Sequence, residues 1–122
     1  MTKEQALILW DQLFGGADIA FDYASHEIHR DDYQDDKEGF GWDIDTKLPS
    51  YAGGTMVSSN LIISSMLTKS IRNGKASFRI GNFHYEVRKG KKYGSFEIFD
   101  VTDKRAPVSM EPCPGNQDPF YN

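Results

Sequence analysis

Few side chains here have the type and spacing for chemistry. The histidines are His26, His29 and His84. His26 and His29 stand three apart, a spacing that lets two helical residues share a face and suits a pair of metal ligands. Without a clear third ligand, the stronger reading is of partly exposed residues near Asp22 and Asp32. His84 lies beside a basic run and reads as a surface residue of a hairpin. Ser58-Ser59 and Ser64-Ser65 have no visible base partner, so a serine hydrolase is not supported. Asp31-Asp32 and Asp35-Asp36 lack the spacing and central glycine of a helix-loop-helix calcium site and read as a solvated loop. Gly90-Lys91-Lys92-Tyr93-Gly94 could meet a phosphate backbone, although charged hairpin turns are common without any ligand. The single cysteine, Cys113, leaves no internal disulfide and no cysteine-based zinc knuckle.

The elements that must position these residues alternate between helix and strand patterns. Ala6, Leu7, Leu9, Trp10, Leu13 and Phe14 recur at helical spacing over residues 3–14, with Thr2 as cap and Gly15-Gly16 as stop. Asp18 heads a second predicted helix, ending near Arg30, with Ile19, Ala20, Tyr23, Ala24 and Ile28 near one face. Asp31 to Glu38 is a polar loop. Phe40, Trp42 and Ile44 alternate with Gly41, Asp43 and Asp45, the pattern of a half-buried strand. Leu48 to Ser59 is a long loop broken by Pro49, Gly53 and Gly54. A short strand, Leu61-Ile62-Ile63, precedes a short helix from Met66 to Asn73, stopped by Gly74. Phe78–Ile80 and Phe83–Arg88 flank a Gly81-Asn82 turn, and Ser95–Val101 adds a third antiparallel strand. Pro107, Pro112, Pro114 and Pro119 exclude regular structure from the tail. The expected class is α+β: two N-terminal helices, a strand-strand-helix element and a C-terminal three-strand meander. Residues 1–102 form one domain and 103–122 a proline-rich tail. Trp10, Trp42, Phe40 and Phe78 are expected in the core.

The chain has 122 residues, 39% hydrophobic and 13% aromatic, which suits one compact folded domain. No apolar run approaches the roughly 20 residues of a membrane span. The N-terminus lacks the order of a signal peptide, so a cytoplasmic location is expected. The net charge of −4 is uneven. Asp18 to Asp45 is strongly acidic, whereas Lys69 to Lys92 is basic. The basic stretch could attract phosphates and the acidic one a basic protein surface. Two solvated faces that partly neutralise each other explain the same pattern.

Gly41-Trp42-Asp43-Ile44-Asp45-Thr46-Lys47-Leu48-Pro49, then Gly53-Gly54 and Asn60-Leu61, resembles the W-x-I-D-H-I-x-P, G-G, N-L series of small HNH (ββα-metal) nucleases. Trp10 to Gly15 resembles their opening W-x-x-x-F-G, and Asp22-Tyr23-Ala24 their D-F-A. Thr68 to Lys75 resembles T-N-x-x-K-x-x-K, and Phe78 to Lys89 the hairpin that follows. The likeness covers roughly residues 7 to 99, and no single motif suffices alone. It implies that Asp45 stands in the metal-ligand position, Thr46 in place of the general-base histidine, and Asn60 where an asparagine pins the loop. Lys69 replaces the second metal-binding residue. A threonine hydroxyl is not basic near neutral pH, and a lysine ammonium repels a divalent ion. The expectation is therefore a site without metal, in which either Lys69 neutralises Asp45 or Lys69 points to solvent and Asp45 hydrogen-bonds within its loop.

The resemblance with these losses implies a non-catalytic protein that binds a macromolecule. Small HNH proteins are often encoded by phages and mobile elements, so a decayed copy could inhibit a host nuclease or defence complex. Asp31, Asp32, Asp35, Asp36 and Glu38 would form its partner-binding surface, and no cofactor is expected. One alternative is a DNA endonuclease with a displaced base, using Mg or Mn. Another is a non-cleaving nucleic-acid-binding module using Arg88, Lys89, Lys91 and Lys92.

Overall fold

A computed structural model describes residues 1–102 and 106–112. Helix α1 spans Lys3–Phe14, and the Thr2 hydroxyl accepts from the Gln5 amide while the Gln5 side chain accepts from the Thr2 amide. This reciprocal cap satisfies two otherwise orphan donors. Gly15 closes the helix in the left-handed conformation, its amide donating to the Asp11 carbonyl. No described helix is long and apolar enough to cross a membrane.

The second predicted helix is absent. Residues 18–30 instead form an antiparallel hairpin of β1 (Ile19–Phe21) and β2 (Glu27–His29). The reason lies in Asp22. Its Oδ1 accepts from the Ala24 and His26 amides, both at 2.9 Å, and Ser25 takes a positive φ of 65°. An aspartate that satisfies the backbone two and four residues on competes with helical hydrogen bonding. Ala20 and Ile28, paired across the hairpin, are both fully buried. Two such short strands offer too few positions for period two to show clearly against a helical pattern.

Next come β3 (Trp42–Thr46), a loop with short 3-10 turns at Ser50–Ala52 and Ser58–Asn60, β4 (Leu61–Ser65) and helix α2 (Met66–Arg72). β3 pairs with β4. The meander follows as predicted: β5 (Ser77–Ile80), β6 (Phe83–Lys89) and β7 (Phe96–Asp100), all antiparallel, with Ile80 opposite Phe83 across the Gly81-Asn82 turn.

Two prolines of the tail lie in strands, contrary to the sequence expectation. β8 (Ala106–Pro107) pairs with β7, and β9 (Glu111–Pro112) pairs with β1. Both are edge strands, where a missing amide can face away from the ladder. Pro114, Pro119 and Cys113 lie outside the described residues.

Contacts gather the chain into two compact units. Of the described residues, one comprises Met1–Ile44, Ile63–Met66 and 109–112, the other Asp45–Ile62, 67–102 and 106–108. In the first, Trp10 and Trp42 are fully buried with ring centroids 4.9 Å apart. Their indole nitrogens donate to the Ala17 and His29 carbonyls, so neither ring buries an unmet donor. In the second, Leu61, Ile62, Phe78, Ile80, Tyr85 and Ile98 are buried.

Candidate functional site

The end of β3 delivers Asp45 and Thr46, and the end of α2 delivers Arg72. The Arg72 side chain has no solvent exposure. Its Nη1 meets Asp45 Oδ2 at 3.1 Å and also donates to the Thr46 carbonyl. Nη2 donates to the Lys47 carbonyl at 2.7 Å, and Nε to the Lys75 carbonyl at 2.9 Å. The guanidinium also lies over the Phe78 ring, 5.2 Å from its centroid. A planar fork with five donors suits this set of acceptors, and the compact head of lysine does not.

Both carboxylate oxygens of Asp45 are thereby engaged. Its Oδ1 accepts from the Thr46 amide at 2.8 Å while Oδ2 holds Arg72. A divalent cation bound here would have to displace a buried, hydrogen-bonded guanidinium. Among the described residues no three His, Cys, Asp or Glu side chains gather as a metal ion would require.

The cation on Asp45 is Arg72, not the expected Lys69, which lies one helical turn earlier on α2. Sequence reasoning missed Arg72 because the buried face of α2 is not its apolar one. Thr68 and Arg72, four apart, are buried, whereas Leu67 and Ile71, also four apart, are 57% and 43% exposed. The usual polarity of a helix is thus inverted, and a hydrophobicity pattern assigns its inner face to the wrong residues.

Asn60 is buried and does pin the loop. Its Oδ1 accepts from the Leu48 amide at 2.9 Å, and its Nδ2 donates to the Leu48 and Thr55 carbonyls. Its own carbonyl accepts from the Lys47 amide at 2.8 Å. The Gly53-Gly54 pair has a local cause as well. A Cβ on Gly54 would lie 1.7 Å from the Leu48 oxygen, and Gly53 takes a φ of 97°. Lys47 is anchored to Glu97 at 3.0 Å.

The histidines do not form a metal pair. His29 Nε2 meets Glu27 Oε2 at 2.6 Å, and the ring stacks on Phe40 at 4.0 Å. His26 Nδ1 lies 3.2 Å from Ser65 Oγ and 3.8 Å from Asp22 Oδ2. Serine, histidine and aspartate thus meet, but on one ring nitrogen. A relay needs the hydroxyl on one nitrogen and the carboxylate on the other. Asp22 is tied further into the fold, its Oδ2 accepting from the Ser65 amide. His84 sits between Ser77 and Glu86 on the meander.

In the acidic loop Asp31, Asp35, Asp36 and Glu38 are exposed and Asp32 is half-buried. Two of these also shape the loop, since Asp35 accepts from the Lys37 amide and Asp36 from the Gly41 amide. Of the basic group, Lys89, Lys91 and Lys92 are exposed. Arg88 is held by Glu86 through Nε and Nη2 at 3.1 and 2.7 Å.

No protein-family profile, curated protein or solved structure matches this chain.

Proposed function

We propose that this chain is a catalytically degenerate relative of the small HNH nucleases, a non-enzymatic protein that acts by binding a macromolecular partner. The observation that carries the reading is the Arg72 guanidinium on Asp45. On the HNH alignment a protein cation then occupies the carboxylate that would hold the metal, and Thr46 supplies no base beside it. The order strand, Asn60-pinned loop, strand and helix is compatible with that alignment. The partner we infer is a protein. Leu67 and Ile71 form an exposed apolar pair on α2, and Asp31, Asp35, Asp36 and Glu38 offer charge to a basic surface. Inhibition of a host nuclease or defence complex, on behalf of a phage or mobile element, is the role this reading suggests.

The test has two arms. Purified protein is incubated with plasmid and magnesium, manganese or nickel, and no cleavage is expected; cleavage that disappears in Asp45→Ala would overturn the proposal. In the second arm the protein is used as bait in host lysate at near-physiological salt. A protein captured by the wild type and lost with the Leu67→Ser/Ile71→Ser double variant is expected. Capture of none counts against binding as the function.

A further inference from the structure

The loop joining β6 to β7 takes no part in the proposed protein-binding function, and its geometry sharpens the phosphate contact that its sequence suggests. In the second unit three of the four described carboxylates are neutralised locally: Asp45 by Arg72, Glu86 by Arg88 and Glu97 by Lys47. The fourth, Asp100, accepts from the Thr102 amide. Lys89, Lys91 and Lys92 remain exposed with no carboxylate partner among the described residues. Between them the loop is held in shape. The Gly90 amide donates to the Ser95 carbonyl, and the Ser95 amide and hydroxyl both donate to the Lys92 carbonyl. Gly90 is required for this closure, because a Cβ there would lie 2.6 Å from Ser95 Oγ. The result is a concavity of about 430 Å³ lined by residues 89–96, three of them lysines and none acidic, with Glu97 beside it held by Lys47. Tyr93 stands entirely in solvent beside it, at 104% of its reference exposure.

We propose that this loop is a binding site for phosphoryl groups in series, held by Lys89, Lys91 and Lys92. Three mobile point charges around a preformed hollow suit a multivalent phosphate better than a single planar carboxylate, which favours an arginine fork. The hollow has the size of a small-ligand site, and Tyr93 offers a flat face on which a nucleobase stacks. The protein as a whole carries −4, so attraction of a polyanion depends on this local cluster and not on net charge. The phosphoryl groups can belong to a free polyphosphate or to a single-stranded nucleic acid. The site does not depend on the fate of the protein-binding reading.

The experiment titrates the ¹⁵N-labelled full chain, at constant ionic strength, with inorganic tripolyphosphate and separately with a short oligothymidylate. Saturable shifts confined to the amides of residues 89–96 are expected in at least one arm. The Lys91→Gln/Lys92→Gln variant, both positions being exposed, should keep its remaining spectrum and bind about tenfold or more weakly, with a shallower salt dependence in the oligothymidylate arm. Tighter binding of tripolyphosphate, insensitive to Tyr93→Ala, assigns a free polyphosphate. Tighter binding of oligothymidylate, weakened at least about fivefold by Tyr93→Ala, assigns a strand. Absence of saturable shifts in both arms, or equal affinity in the lysine double variant, overturns the proposal.

Discussion

Arg72 joins four acceptors, and its loss should be felt far beyond one ion pair. Arg72→Leu would leave Asp45 and the Thr46 and Lys47 carbonyls facing an apolar side chain. Breaking a buried pair by removing one partner typically costs about 3–5 kcal/mol. Urea denaturation should show a loss in that range, and a double Asp45→Leu/Arg72→Leu variant should lose less than the single change. A second residue-scale prediction concerns pH. Arg30 grips Asp11 through two hydrogen bonds of 2.9 Å, and this holds the Asp11 carboxyl below its ordinary value of 3.8. A carboxyl lowered in the folded state adds stability above its unfolded value, and that contribution is lost as pH falls through the folded value. Both groups are partly exposed, so the pair contributes only about 0.2–1 kcal/mol. Arg30→Gln should therefore be slightly less stable than wild type at pH 6 to 7, and the difference should fade as pH falls below the ordinary carboxyl value of 3.8.

At the scale of elements, the β3–β4 connection is the most tightly specified piece. Asn60 satisfies both polar groups of Leu48, and Gly54 packs against the Leu48 oxygen. Gly54→Ala has no small adjustment available, because the obstacle is backbone and not a flexible side chain. It should lower the thermal midpoint by several degrees, more than Gly53→Ala, where no atom blocks the added methyl and only the positive φ is strained. This connection and α1 were legible in the sequence because their signals are local: a cap at Thr2, a stop at Gly15, a glycine pair, a turn at Gly81-Asn82. The β1–β2 hairpin was not, because its strands have three residues each and its turn is set by the Asp22 side chain. Strands β8 and β9 were hidden by proline, which an edge position tolerates. The ion pair was missed by one turn. Nothing along the chain distinguishes the buried cation Arg72 from Lys69 until the inverted face of α2 is seen.

At the scale of the whole molecule, charge is divided between the two units. Among the described residues the unit containing α1 has three Lys and Arg against twelve Asp and Glu, a formal −9. The unit containing the meander has nine against four, a formal +5. A protein of net charge −4 with such a division should behave as neither a simple acid nor a simple base. It should be retained on both anion- and cation-exchange resins near pH 7 at low salt. Lys91→Gln/Lys92→Gln should reduce retention on the cation exchanger while slightly strengthening it on the other. Retention on the anion exchanger alone would mean that the acidic residues dominate the field everywhere.

The pairing of β1 with β9 sets Ala20 against Pro112 and Phe21 against Glu111. The first unit is therefore assembled from stretches that leave the ribosome long apart, with the meander synthesised between them. Its β1 edge stays open until residue 112 has emerged, and contacts so distant in sequence form late. During synthesis that edge is a template for pairing with another nascent chain. Truncation before Ser109 should leave the same edge permanently exposed, which makes such fragments poor choices for recombinant expression.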